Sequence, residues 1–154
     1  AAGASEVIGV DLDEEVLELA KHNARLNKQA VRFVHADLFP WLRDAANNGE
    51  QFDTVILDPA KMTRDREQVI PALKKYLDMN KLAMSAVEPG GILVTCSCTG
   101  LVSEEQFLDM LRRAAFYANR TLQVLRVTGA GPDHPWLAHV PESRYLKAAF
   151  CRVW

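Results

Sequence analysis

One cysteine stands in a polar loop where it could act as a nucleophile. Cys98 lies in residues 95–100 (TCSCTG), directly after the apolar run 92–94. A thiolate reacts when it is accessible and when its surroundings favour the anion, and a loop of Ser, Thr and Gly provides access. An inert core thiol is the alternative, and we assign that role to Cys151. No Cys or His at ligand spacing supports a metal site. The pattern therefore indicates Cys98 as the candidate nucleophile.

A second cysteine lies two residues earlier. Strand alternation puts Cys96 and Cys98 on the same face and does not choose between them. Cys96 follows the apolar run closely, so we expect it to be packed in a strand, where burial raises the pKa of a thiol. Cys98 lies further out, beside Thr99 and Gly100, where a substrate could reach it. Three cysteines, two of them too close to bridge, argue against a disulfide framework and for a reducing cytoplasm.

Carboxylates follow three other apolar runs. Asp11 ends the first run, Asp37 follows the second, and Asp58 follows the third and precedes Pro59. An acid at a strand end can accept hydrogen bonds from a ribose diol or an adenine amino group, so acids at two successive strand ends favour a nucleoside. The alternative for Asp11 and Asp37 is a cap at the start of a helix. Asp58 could hydrogen-bond the edge of a base, or it could simply begin an Asp-Pro turn.

The order of apolar and amphipathic segments predicts the elements that position these residues. Strands are predicted at 7–10, 31–35, 52–57, 92–95, 121–128 and 145–154, and helices at 13–27, 38–46, 68–87 and from a capping box at 103–106. This order predicts an α/β fold with a doubly wound, mostly parallel sheet, and ligands bind beyond the carboxyl ends of its strands. The last two strands have no helix between them and are expected to be antiparallel. Residues 52–57 are apolar enough to predict burial on both faces.

Composition limits the class of protein. The 154 residues, 49% hydrophobic and 25% charged, fit one soluble globular domain. No apolar run approaches the roughly 18 residues of a membrane span, so no membrane partner is expected. A net charge of −2 and a pI near 6.1 argue against wholesale electrostatic binding of nucleic acid, but they allow a local basic patch. Lys61 and Arg64 are the best candidate phosphate contacts, although most of residues 61–75 fit a solvated helix face.

The motifs, taken in order, resemble those of one family. They are Val10-Asp11, Leu26-Asn27, residues 52–59 (FDTVILDP), residues 89–93 (PGGIL), Ser97-Cys98, Asp133-His134-Pro135 and Tyr145-Leu146-Lys147. The chain is similar to the RlmI-like ribosomal RNA large-subunit cytosine-5 methyltransferases, which are class I enzymes dependent on S-adenosylmethionine. The similarity runs from about Gly3 to the C terminus.

The resemblance implies a role for each candidate residue. Asp11 with Leu12, Asp37 with Leu38, and Asp58 would hold S-adenosyl-L-methionine. Asp58 would also lie beside the target base, and Cys98 would be the catalytic nucleophile. The substrate would be ribosomal RNA, contacted by Pro59, Lys61 and Arg64. The chain departs from the family at Ala60 and Met62, where Pro and Phe are usual, which affects the stiffness and stacking capacity of that loop.

The resemblance also carries expectations about the extent of the domain. We interpret residues 1–154 as a single methyltransferase domain that is N-terminally truncated. The first strand and its Gly-rich loop would precede Ala1, as would a PUA-type RNA-binding domain. Weak cofactor binding by the isolated chain follows from that interpretation. Open strand edges would also allow a homodimer.

The implied reaction is methylation of carbon 5 of a cytidine in 23S ribosomal RNA through a cysteine adduct. Two alternatives remain open from the residues alone. The same fold could methylate a base nitrogen such as guanine N7, which uses the lone pair of the ring and needs no thiolate. The chain could also be a non-catalytic module that binds no cofactor.

Overall fold

The computed structural model describes residues 3–140 and 143–154 and divides the chain into two units, Ala1–Asp44 and Ala45–Trp154. The first unit contains strand β1 (Ile8–Asp11), helix α1 (Glu14–Leu26) and strand β2 (Arg32–His35). Helix α2 (Leu38–Asn47) begins in this unit. The strands pair in parallel from Ile8 opposite Arg32 to Asp11 opposite His35. Both carboxyl ends therefore lie at the same edge, as the sequence predicts.

Helix α1 begins where the sequence predicts. One carboxylate oxygen of Asp13 accepts the backbone N–H groups of Glu15 and Val16, at 3.0 and 3.2 Å. Glu14 and Glu15 stand in the first turn, where the helix dipole favours negative charge. The cap fixes the chain direction directly after β1, so the geometry of residues 11–15 follows from local sequence.

The second unit holds the remaining elements. After β3 (Phe52–Leu57) come a 3-10 turn (Arg66–Gln68), α3 (Val69–Ala86), β4 (Val87–Ser97), α4 (Glu104–Tyr117), β5 (Leu122–Thr128) and β6 (Lys147–Val153). The strand order is β3-β4-β6-β5, with β3 and β4 parallel and β6 antiparallel to both of its neighbours. The α/β fold and the antiparallel final pair are confirmed.

Two sequence predictions are wrong in this unit. The fourth strand is predicted to begin at residue 92, but β4 already begins at Val87, and residues 88–91 interrupt its ladder with β3. Gly91 permits the close approach of the two strands, since a Cβ there would lie 2.8 Å from the Asp53 carbonyl oxygen. Burial of β3 on both faces is also wrong. Leu57 is buried, but Ile56, on the opposite face of the strand, is 71% exposed.

The core of the second unit lies between the sheet and the helices α3 and α4. Tyr76 of α3 and Phe107 of α4 are fully buried and meet edge to face, with ring centroids 6.2 Å apart. The predicted capping box is present, with Ser103 and Gln106 exchanging side-chain and backbone hydrogen bonds of 2.9 and 3.1 Å. This cap, five residues after Cys98, fixes where α4 begins.

Candidate active site

The carboxyl end of β1 carries an open, acidic depression. It is shallow and is lined by residues 11–15. Asp11 is exposed, and one of its carboxylate oxygens accepts the backbone N–H of Asp13 at 2.8 Å. The ring nitrogen Nε2 of His35 lies 2.9 Å from the carbonyl oxygen of Leu12, to which it can donate. The Leu12 side chain is 65% exposed and offers an apolar surface.

Asp37 occupies the equivalent place after β2. It is exposed, and one carboxylate oxygen accepts the backbone N–H of Phe39 at 2.8 Å, while Leu38, the first residue of α2, is half-buried. The capping alternative is therefore realised at Asp37, whereas Asp11 bonds to Asp13, which is itself the cap of α1. Neither bond excludes ligand binding, because a carboxylate has two oxygens with about four acceptor sites in total.

In the second unit the predicted nucleophile lies beside the Asp-Pro loop. The Cys98 thiol donates to the carbonyl oxygen of Pro59, with a sulfur–oxygen distance of 3.9 Å. The backbone N–H of Met62 donates to the hydroxyl of Thr99 at 3.2 Å. Both loops leave the same edge of the sheet, because β3 and β4 are parallel and Leu57 lies opposite Thr95. Asp58, the exposed first residue of its loop, and Cys98 thus follow neighbouring strand ends, as expected.

The three thiols differ in environment. Cys96 lies in β4 opposite Ala148 and is half-buried; burial, followed by the carboxylate of Asp58 and the charge of Cys98, raises its pKa. Cys151 is fully buried in β6, and burial raises its pKa to about 11. Cys98 is half-buried and lies just beyond the end of β4. The predicted effect of burial on the pKa of Cys96 is confirmed, although that side chain is only partly covered.

A buried polar network supports the Cys98 loop, and the sequence analysis missed it. The hydroxyl of Ser97 donates to the Tyr76 hydroxyl at 3.1 Å, and the Tyr76 and Thr99 hydroxyl oxygens are 2.9 Å apart. Lys147 is buried and donates to the carbonyl oxygens of Thr99 and Val102. The one available signal was a lysine directly before the apolar run 148–151 of the last strand.

The candidate RNA contacts lie in the loop between β3 and the 3-10 turn. Lys61 and Arg64 are exposed, and Pro59 is half-buried. Between the two basic residues the chain turns, with Thr63 and Asp65 exchanging two hydrogen bonds of 3.0 Å. The turn keeps both basic side chains in the exposed part of the loop, where they could meet a polyanion.

The Asp133-His134-Pro135 motif forms a turn. The backbone N–H of His134 donates to the carbonyl oxygen of Gly131 at 3.0 Å, and its ring nitrogen Nε2 lies 2.8 Å from the Tyr145 hydroxyl oxygen.

Among residues 3–140 and 143–154, no group of three or more His, Cys, Asp or Glu side chains could hold a metal ion. Within the same ranges, no helix has the length and apolarity required to cross a membrane.

Comparison with known proteins defines the class. The methyltransferase domain family matches residues 1–139, so the chain belongs to that family. It is 44% identical to the ribosomal RNA large subunit methyltransferase I of Tolumonas auensis and 40% identical to that of Enterobacter sp. strain 638. Each alignment covers 98% of this chain and 39% of the relative, so the chain spans about two fifths of these relatives' length.

The fold is also found among solved structures. The crystal structure of the methyltransferase SMU.776, complexed with SAH, matches with a TM-score of 0.84 over 97% of this chain and 40% of that one. Sequence identity is 18%, so this likeness establishes the fold alone.

Proposed function

We propose that this chain uses S-adenosylmethionine to methylate carbon 5 of a cytidine in large-subunit ribosomal RNA, through a covalent adduct at Cys98. The observation that carries the proposal is the placement of Cys98 against the Asp58-Pro59 loop, at neighbouring strand ends of the same unit. Similarity to two ribosomal RNA large subunit methyltransferases I supports the substrate class. The three free cysteines fit a reducing cytoplasm.

The ends of β1 and β2 fit this cofactor better than a phosphate-bearing one. The lining of the depression includes Asp11, Asp13, Glu14 and Glu15, which would repel a pyrophosphate. S-adenosylmethionine instead carries a positive sulfonium and neutral ribose hydroxyl donors. Asp11 can accept from the ribose diol and Asp37 from the adenine amino group, with Leu12 and Leu38 as apolar neighbours. When bound, the cofactor supplies an electrophilic methyl group.

The proposed reaction requires a thiol because carbon 5 of cytosine is a poor nucleophile. Addition of the Cys98 thiolate to carbon 6 forms a carbon–sulfur bond and turns the ring into an enamine, whose carbon 5 can take the methyl group. Removal of the carbon-5 proton by a base then expels the thiolate and restores the aromatic ring. Asp58 can hydrogen-bond the ring and stabilise the charge that develops on it.

The loop between β3 and the 3-10 turn provides the contacts expected for RNA. Lys61 and Arg64 are exposed and can pair with phosphates, while Pro59 stiffens the chain beside Asp58. A cytidine paired in a helix must leave its stack before carbon 6 can reach a thiol. Binding at this loop would therefore involve single-stranded or locally melted RNA.

The test is to identify the methylated nucleoside. The protein is incubated with methyl-labelled S-adenosylmethionine and ribosomal RNA that lacks the modification, and the RNA is digested to nucleosides. The proposal predicts label in 5-methylcytidine. Label in 7-methylguanosine or another N-methylated base would identify base-nitrogen chemistry, which needs no Cys98. Absence of cofactor binding in calorimetry, both by this chain and by a chain extended to the length of its relatives, would identify a non-catalytic module.

A further inference from the structure

Lys147 is a buried cation that closes the turn after Cys98. It is 5% exposed, begins β6, and lies opposite Ser97 in the ladder with β4. Its Nζ donates to the carbonyl oxygen of Thr99 at 2.8 Å and to that of Val102 at 2.6 Å. The Val102 N–H donates to the same Thr99 oxygen at 3.1 Å, so the ammonium reinforces both ends of this turn.

The residues on both sides of Cys98 are held by buried partners. Ser97, before it, donates to the Tyr76 hydroxyl, and Thr99, after it, contacts Tyr76, Lys147 and the backbone N–H of Met62. Cys98 itself keeps a half-buried side chain. A reactive group held in this way loses little conformational freedom when it reacts, which is a requirement of efficient catalysis.

Burying an ammonium is unfavourable. Desolvation lowers the pKa of Lys147, while the negative charges of Cys98 and Glu104 oppose that shift. The two bonds to carbonyl oxygens offset part of this cost. One of them holds the ammonium against the carbonyl of Thr99, the residue joined to Cys98, so a positive charge lies beside the loop of the candidate nucleophile.

We propose that Lys147 is a positioning residue for the methyl transfer: it fixes the turn that presents Cys98 and supplies the positive charge that favours the thiolate. The inference rests on the proposed role of Cys98 as the nucleophile. The titratable and charged groups around this loop are Asp58 and Lys61 after β3, Tyr76 of α3, Cys96 of β4, Glu104 of α4 with its exposed partner Arg144, and Lys147 of β6. Among the described residues, Lys147 is the buried cation of this set, so its charge is the one least screened by water.

The test compares thiol reactivity in Lys147→Met with that in the unchanged protein. The rate of Cys98 alkylation by iodoacetamide is measured from pH 6 to 10, with tandem mass spectrometry separating Cys98 from Cys96. Lys147→Met keeps the apolar stem and removes the charge. We expect the midpoint of the pH profile to move upward, with a roughly tenfold slower reaction at pH 7 for each unit of movement. Lys81→Met, at an exposed position on α3, is the matched control and should leave the profile unchanged.

An unchanged profile in a folded Lys147→Met protein would overturn the inference. Thermal unfolding establishes whether the variant is folded. If it is not, Lys147→Arg takes its place: a retained charge predicts the original midpoint, and an upward movement contradicts the proposal. Alkylation needs no methyl transfer, so this test is independent of the proposed reaction. In the transfer assay, Lys147→Met should lower the maximal rate at pH 7, regain part of it at higher pH, and leave the KM for RNA unchanged.

Discussion

The Cys98 sulfur lies 3.9 Å from the carbonyl oxygen of Pro59, and the bond between them joins the loops that follow β3 and β4. A second bond, from the Met62 N–H to the Thr99 hydroxyl at 3.2 Å, joins the same loops. Asp58 begins one loop and Cys98 lies in the other. A cytosine hydrogen-bonded to Asp58 would therefore be presented close to the thiol that the proposed chemistry requires.

Asp11 tests the proposed cofactor site. In a chain extended to the length of its relatives, Asp11→Ala should weaken S-adenosylmethionine binding by roughly 1.5–3 kcal/mol, because it removes charge-assisted hydrogen bonds to the ribose. Isothermal calorimetry measures the change. Asp44→Ala, which removes an exposed carboxylate of α2 outside the lining of the depression, is the matched control and should leave the affinity unchanged. Equal affinity for Asp11→Ala and the unchanged protein would leave Asp11 only its bond to the Asp13 N–H.

Lys61 and Arg64 test the proposed RNA contacts. Lys61→Ala and Arg64→Ala should each weaken binding of ribosomal RNA and reduce the slope of log affinity against log salt by about 0.7–0.9, one phosphate contact each. Binding is titrated at several salt concentrations. Lys81→Ala, which removes an exposed charge on α3, should behave as the unchanged protein. If both loop variants keep the slope of the unchanged protein, the RNA phosphates bind elsewhere on the protein.

Glu88 and Asp53 form an unfavourable acidic pair. A hydrogen bond from the protonated Glu88 carboxyl to the Asp53 carboxylate, together with the negative charge of Asp53, raises the pKa of Glu88 above its usual 4.5. The folded state therefore binds this proton more tightly than the unfolded state, and the associated stability is lost as pH rises through the raised pKa. Glu88→Gln should consequently raise the thermal unfolding midpoint at pH 7.

The increase in the unfolding midpoint of Glu88→Gln should disappear in acid, below about pH 4, where the Glu88 carboxyl is protonated in both the folded and the unfolded state. Thermal unfolding followed by circular dichroism across this pH range measures it. Glu50→Gln, at an exposed position before β3, controls for the change in net charge. A midpoint that rises equally at pH 7 and in acid would exclude electrostatic repulsion as the cause.

Local sequence was sufficient to predict the helices and strands and the residues that follow the strand ends. Asp13 caps α1 and Ser103 caps α4 because a capping side chain bonds to backbone groups two or three residues away. The network around Tyr76, Thr99 and Lys147 could not be predicted in this way. Its members are separated by more than twenty residues and meet only once β6 has inserted between β4 and β5.

The exposure of Ile56 could not be predicted from hydrophobic periodicity either. An apolar strand is expected to be covered on both faces, but the sequence of the strand does not specify which elements pack on each face, and only the face of Leu57 is covered.

The account depends most on Cys98 as the nucleophile. In a chain extended to the length of its relatives, Cys98→Ala should abolish methyl transfer and leave S-adenosylmethionine binding intact. Cys96→Ala should mainly lower stability, because Cys96 is part of the β4–β6 ladder. Transfer activity, calorimetry and thermal unfolding of the two variants distinguish these roles.

The most direct measurement traps the adduct. RNA that carries 5-fluorocytidine has no carbon-5 proton to lose, so after methyl transfer the thiol cannot leave and the covalent complex should persist. Mass spectrometry of the digested complex locates the modified cysteine. The account predicts an adduct on Cys98 that is lost in Cys98→Ala and retained in Cys96→Ala. An adduct on Cys96, or full methyl transfer by Cys98→Ala, would contradict it.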